Sequence, residues 1–369
     1  VTENKQQETT TVTADMSVSG PDDDRPVPGE GFAGEASPEA PRAFCSGVMP
    51  GSDMVAAATV IEGETGDFPA CALLPERGAI ADGVARSLAV CEGMGFDIGP
   101  RAWQLSPRPG IAARRAADLF ARDLDACEAT WGSRLPQVKT QLAGPVSLAA
   151  AVETPSGHRV MTDRSATADL VGGLVHGLAE HVGALARRFD CPVTVQLNEP
   201  LLARVIAGKL SGTSDFDVID PRPEAEVGDQ LGRFVEEIVS LPHVGGVIIN
   251  QAAYPPVWSV AGKTRPAVTM IDISHIRGTS QLDGMGQALS GGHRLAVGTG
   301  HPDGPSARDR AIRLARLVDE LAVDPLVLAR QIDVFDTDPT LGRPLTEVAR
   351  SLSIVAALAG ILAKDAGDL

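Results

Sequence analysis

The chain has 369 residues, 43% hydrophobic and 22% charged, with a mean hydropathy of +0.03. This is globular material sufficient for one large core or two smaller ones, and it excludes a chain disordered throughout. A formal net charge of −16 and a pI near 4.8 argue against non-specific binding to nucleic acid or to an anionic membrane, either of which would repel the protein at long range.

Residues 1–42 are rich in Thr, Glu, Asp and Pro, carry the run Asp22-Asp23-Asp24, and have Phe32 as their only aromatic. Such a segment buries too little apolar surface to offset its ordering entropy, so an acidic, disordered leader is expected. It lacks the basic and then apolar pattern of a secretory signal, and no stretch reaches the roughly 18 apolar residues of a membrane span. Cys45, Cys71, Cys91, Cys127 and Cys191 are odd in number and scattered, without a C-x-x-C pair. Reduced, buried thiols in a cytoplasmic protein follow from that pattern.

From Phe44 onward short apolar runs alternate with longer amphipathic ones. Strands are predicted at 44–48, 70–74, 138–142, 193–197, 246–249, 268–273, 294–298 and 332–336. Helical periodicity is clearest at 112–131, 166–189, 224–240, 307–321 and 345–362, and an extended piece at 101–106 reads as an added hairpin or flap. Eight strands with intervening helices in roughly 325 residues predict an α/β fold, a (β/α)8 TIM barrel over 43–369 with small insertions. A doubly wound open sheet is the alternative, because periodicity does not show closure.

In a barrel the working residues lie at the C-terminal ends of the strands. Those ends read Gly47 to Gly51, Glu76-Arg77-Gly78, Gln141 with Gly144-Pro145, Gln196-Leu197-Asn198-Glu199-Pro200, Asn250-Gln251, Asp272, Gly298 to His301, and Asp336-Thr337-Asp338. The set is acidic and amidic, with few imidazoles and no thiol. The apolar run 192–197, which stops on Gln196, Asn198 and Glu199 before a proline, is the most pointed of them.

Taken in order, these segments resemble the catalytic barrel of cobalamin-independent methionine synthases, in the superfamily shared with uroporphyrinogen decarboxylase. Gly47 to Gly51 is similar to that family's Gly-Ser-x-Pro-Gly loop, and Leu74-Pro75-Glu76-Arg77-Gly78 to its Leu-Pro-x-Arg-Gly segment. Further matches are Ala143 to Ala149, Pro155-Ser156-Gly157-His158-Arg159, and Val195 to Pro200 against Gln-x-Asp-Glu-Pro. Each motif alone is weak; five in order carry the resemblance.

The resemblance implies methyl transfer from a 5-methyltetrahydropteroyl glutamate to a thiol such as homocysteine, activated by a zinc ion held by His-x-Cys, Glu and Cys. At the corresponding positions stand Asn250 and Ala252, Asp272, and Asp338 or a neighbour, so the expectation is that the zinc ligands are not retained, and no cofactor is predicted. Val48 replaces the serine implied for the homocysteine carboxylate, and Asn198 replaces the aspartate implied for its ammonium, while Glu199 is kept. Gln196, Asn198, Glu199, Asn250, Asp272 and Val48 are the expected substrate-binding residues; the catalytic residues stay unassigned.

Plainer roles compete at each position. The 196–199 strand end could cap the next helix. Asp272, Asp336 and Asp338 could gather a hard cation such as Mg²⁺, but Asp338-Pro339 is also an ordinary turn start. His275 fits a solvated loop, and His176, Glu180 and His181 fit a surface helix, since their spacing puts the two imidazoles on different faces. Gly298-Thr299-Gly300 with Gly304 could cradle an anion or form a tight loop. Trp103 and Trp258 could stack on a pterin or pack in the core, and Arg77 and Arg108 could hold a carboxylate or phosphate. Two functions remain: a methyltransferase, weak or retargeted, and a non-catalytic barrel that binds a small ligand at its mouth or a protein partner through the leader. Porphyrinogen-type decarboxylation ranks last, because no distinctive set of anchoring arginines is present.

Overall fold

The computed structural model describes residues 40–91, 93–212, 217–300, 304–337 and 342–369. The expected leader up to residue 39, His301 and Asp338 lie outside the described residues.

The barrel follows from the strand runs. The strands are β1 (Ala43–Phe44), a hairpin of β2 (Gly95–Ile98) and β3 (Trp103–Ser106), then β4 (Val138–Ala143), β5 (Val193–Asn198), β6 (Val244–Asn250), β7 (Val268–Asp272), β8 (Leu295–Gly298) and β9 (Ile332–Phe335). Seven of them form one curved sheet in the order β1, β9, β8, β7, β6, β5, β4, every pair parallel. The gap between β1 and β4 is closed by 69–73, where a strand was expected at 70–74. Leu73 N donates to Gly47 O (2.8 Å) and Met49 N to Leu73 O (2.9 Å) on one side. On the other, Cys71 N donates to Lys139 O and Lys139 N to Pro69 O (both 2.8 Å). Residues 69–71 bond one neighbour and residue 73 the other, so isolated bridges replace a ladder. The first strand is likewise shorter than expected, because Gly47 takes φ +107° and turns the chain.

Helices surround this ring: α1 (Met54–Thr65), α2 (Gly83–Val90), α3 (Ile111–Trp131), α4 (Pro145–Ala151), α5 (Arg164–Phe189), α6 (Leu202–Ile206), α7 (Glu224–Val239), α8 (Trp258–Lys263), α9 (Thr279–Ser290), α10 (Ala307–Glu320), α11 (Val327–Arg330) and α12 (Leu345–Asp365). The last is long and apolar enough to cross a membrane by length and composition, beyond what the sequence runs suggested. Its buried residues, among them Val348, Leu352, Val355, Leu358 and Leu362, belong to a helix packed on α1, α10, β1 and β9, which accounts for that apolarity.

The barrel interior has its own apolar cluster of Phe44, Phe68, Ile248, Val268, Met270, Ala296 and Phe335, with Phe44 and Phe335 stacked at 6.0 Å. Beneath it Asp333 is bonded by both Arg42 and Arg294 at 2.6–3.2 Å, and Arg42 lies 5.2 Å over the Phe68 ring. Burial would raise the Asp333 carboxyl, but the two guanidiniums overcome it and hold the group below its ordinary range. The N-terminal end of the barrel is therefore sealed by an ion cluster over aromatic rings, which leaves the C-terminal end for chemistry.

Candidate functional site

Parallel register decides which side chains share the interior. Lys139, Gln141 and Ala143 of β4 pair with Thr194, Gln196 and Asn198 of β5, and Gln196 and Asn198 pair in turn with Ile248 and Asn250 of β6. Side chains at paired positions point to one face of a sheet, so Lys139, Gln196, Asn198 and Asn250 line the same side as Ile248.

They form one hydrogen-bonded chain. Lys139 Nζ donates to Gln196 Oε1 (2.6 Å); Gln196 Nε2 donates to Ser46 O (2.9 Å) and to Asn198 Oδ1 (2.8 Å). Asn250 Nδ2 donates to the same Asn198 oxygen (2.9 Å), while Asn250 Oδ1 accepts from Ala252 N (3.0 Å). Ser46 extends the network, its backbone N–H meeting Asp336 Oδ1 at 2.6 Å and its hydroxyl Oδ2 at 3.5 Å. Gln141 sits beside this chain with Nε2 on Gly47 O (3.0 Å) and on Cys71 O, its Oε1 buried without a partner. A Cβ on Gly47 would strike that carboxamide, so glycine is required there for space as well as for its φ.

Lys139 is fully buried and Asp336 is 1% exposed. Burial lowers the Lys139 amine to about 8, opposed by Cys45 and Asp336. Burial raises Asp336 to about 7, opposed by the Ser46 N–H and by Lys139. Each group is displaced toward the other, as expected of opposite charges taken out of water in one network.

The six expected binding residues divide. Gln196, Asn198 and Asn250 are brought together. Glu199 turns instead to the start of α4, where its carboxylate accepts from Val146 N (3.0 Å) and Ser147 N (2.7 Å); Gly144 leaves it room, since a Cβ there would meet its oxygen. This is the helix-capping role. Burial raises Glu199 to about 7 against the hydrogen bonds from the Ser147 side chain and from the Ser147 and Val146 backbone. Asp272 ends β7 and accepts from Ser274 N (2.7 Å). Val48 is half-buried in the loop that bridges Leu73 to close the barrel.

The other candidates have local duties. Arg77 makes a two-point pair with Asp123 (2.7 and 2.6 Å), beside Arg86. Trp103 is buried against Phe96 with its indole N–H on Asp82, and Trp258 donates to Gln281. Gly300 N is bonded to Thr337 Oγ1 and Arg310 to Thr299 Oγ1 and Gly300 O, a pinned loop. His181 lies against Thr140 Oγ1 (3.1 Å) and the Phe120 ring, so it faces the barrel wall, while His176 is exposed. His275 is half-buried, its Nδ1 without a partner, and Arg108 is exposed.

Of the positions the resemblance implies for zinc, Asp272 offers a carboxylate and Asp338 lies outside the described residues. The Asn250 amide is engaged at both ends and Ala252 offers a methyl group. Among the described residues, no three His, Cys, Asp or Glu side chains converge on a common point, so Asp272 and Asp336 do not gather a cation site there.

Lys139 and Ser46 are the participants that sequence reasoning missed. Lys139 had a signal, a single cation within the apolar run Val138-Lys139-Thr140-Gln141-Leu142. Ser46 had none, because it takes part chiefly through its backbone.

Fold and site together define a closed α/β barrel with an amide-lined mouth over a buried lysine. No family profile matches the sequence, and no curated protein does. Solved structures similar to this chain in fold include the following two. One is a B12-independent methionine synthase from Shewanella sp. W3-18-1 in complex with selenomethionine, at 14% identity over 76% of this chain and 77% of that one, with a TM-score of 0.46. The other is a methyltransferase from Methanosarcina mazei, at 11% identity over 86% and 94% of the two chains, with a TM-score of 0.46.

Proposed function

We propose that the barrel mouth binds a small polar organic molecule through Asn198 and Asn250, with the buried Gln196 holding Asn198 in place. Its ligand class is that of the barrels the motifs resemble, an amino-acid-like thiol or a compound derived from one. The observation that carries the reading is the continuous chain from Lys139 through Gln196 and Asn198 to Asn250. Three amide side chains oriented by one another at the C-terminal end of a barrel, over a desolvated cation, are preorganised for recognition. Zinc activation of the thiol is not part of the proposal, since Asn250 and Ala252 stand where the resemblance implies the His-x-Cys pair.

The test is calorimetric titration with L-homocysteine and with 5-methyltetrahydropteroyl triglutamate, on the wild type and on Asn250→Ala. Saturable binding weakened at least tenfold by the substitution is expected. No binding of either compound, or binding that Asn250→Ala leaves intact, removes the reading. Methyl transfer is the second reading, favoured by the ordered motifs from Gly47 to Pro200. Product above background that depends on Asn250 would place it first.

A further inference from the structure

A carboxamide has an acceptor end and a donor end of the same shape, so its orientation is set by what surrounds it. At the barrel mouth that orientation is determined from both ends of the chain. Lys139 Nζ only donates, so the Gln196 atom 2.6 Å away is the oxygen. Gln196 must then direct its nitrogen outward, and the Ser46 carbonyl at 2.9 Å, which only accepts, requires the same. From the other end, the backbone N–H of Ala252 requires the Asn250 oxygen, which turns the Asn250 nitrogen to Asn198.

Two donors therefore converge on one atom of Asn198, which must be its oxygen. Reversing Asn198 would set N–H against N–H twice and lose both bonds. Its Nδ2 is left with both hydrogens unengaged among the described residues, and it is not among the buried polar atoms that lack a partner. On a half-buried side chain at the strand end, that nitrogen retains exposure. The ammonium behind the chain polarises Gln196 and, through it, Asn198 in the same sense, strengthening the donor character of Asn198 Nδ2. Glu199, the neighbouring carboxylate, is turned to the Val146 and Ser147 N–H groups.

We propose that Asn198 is a specificity-determining donor that selects a ligand group with a carboxylate or carbonyl oxygen and rejects an ammonium, with Lys139 as the positioning residue that fixes its polarity. This rests on the reading that the mouth binds a small polar molecule, and it names the group received. It also reverses what the resemblance implies at this position, an aspartate that meets an ammonium.

The probes are 4-mercaptobutanoate and 3-aminopropane-1-thiol, which carry one charged group each on the same short thiol chain. Binding is measured by calorimetry and located by the side-chain amide resonance of Asn198 in ¹⁵N-labelled protein. The wild type should bind the carboxylate at least tenfold more tightly than the amine, with a shift of the Asn198 resonance. Asn198→Asp, which can still accept from Gln196 and Asn250, should invert that order. Lys139→Met should narrow the ratio while Asn198→Asp inverts it, a distinction that mere loss of stability would not produce. Equal or tighter binding of the amine by the wild type overturns the polarity inference alone. Failure of both probes to bind or to move the Asn198 resonance removes the ligand-binding reading, and the inference with it.

Discussion

Lys139 concentrates the energetic conflict of the site in one side chain. Its ammonium is desolvated, with Gln196 Oε1 accepting from it and the Phe44 ring 5.5 Å away. Replacing it by methionine relieves the buried charge, but it orphans the Gln196 oxygen and leaves buried Asp336 without its cation. An unpaired buried polar group costs about 1–3 kcal/mol, and we expect Lys139→Met to lose stability in that range, read from urea midpoints at constant slope. Glu199 yields a pH prediction of defined sign. Its folded value is raised to about 7 from 4.5, so the protonated form is favoured by the fold. Its contribution is complete below 4.5 and is lost as pH rises through 7. Glu199→Gln lacks this term, so its midpoint relative to wild type should rise between pH 4.5 and 7 and be level outside that window. A constant difference across the window would show that the carboxyl does not titrate there. At this scale Asn198, Asn250 and Gln196 were legible as strand-end amides, whereas their bonding order was not, since it also requires Lys139, Ser46 and the Asn198–Asn250 pair to meet across the chain.

Single elements show where local pattern stops being informative. The Val193–Asn198 strand reads clearly from its β-branched run, yet the residue that follows it serves another element, the start of α4. No periodicity links Glu199 to Val146. Gly144→Ala tests that link. The position has φ −71°, so alanine meets no backbone strain, but its Cβ would displace the Glu199 carboxylate. Loss of the cap should cost about 1 kcal/mol, and Glu199→Ala should add little further to it in the double variant. Full additivity would mean the two residues are not coupled. The segment 69–73 makes the complementary point. Its apolar run predicted a strand, and it does complete the barrel, but its hydrogen bonds are split between two neighbours in a way that hydrophobicity does not encode. At the opposite end Asp333 joins β9 to Arg42 and Arg294. Asp333→Ala should cost about 3 kcal/mol by removing the shared carboxylate from two guanidiniums, the lower part of the usual range because both retain some water. A change below 1 kcal/mol in equilibrium unfolding would refute that role for the cluster.

The whole molecule isolates its thiols as well as its floor. All five cysteines are buried, and burial raises each of them, Cys71 and Cys191 to about 11 and Cys91 to about 12. Native protein should therefore release almost no signal with a thiol-specific disulfide reagent at pH 8 and titrate five thiols in denaturant; rapid native reaction of even one would contradict this packing. The alternation of apolar runs and amphipathic stretches determined a parallel α/β architecture, barrel or open sheet, because burying one face of each strand and one stripe of each helix leaves few architectures open. The amide-rich character of the strand ends, Gln196, Asn198 and Asn250, was also legible from residue identity alone. Closure through the 69–73 segment, the turning of Glu199 to α4, and the polarity of the Asn198 amide were decided only in three dimensions. Each depends on which atom of one strand meets which atom of another, and hydrogen-bond direction is a property of such pairs rather than of either residue.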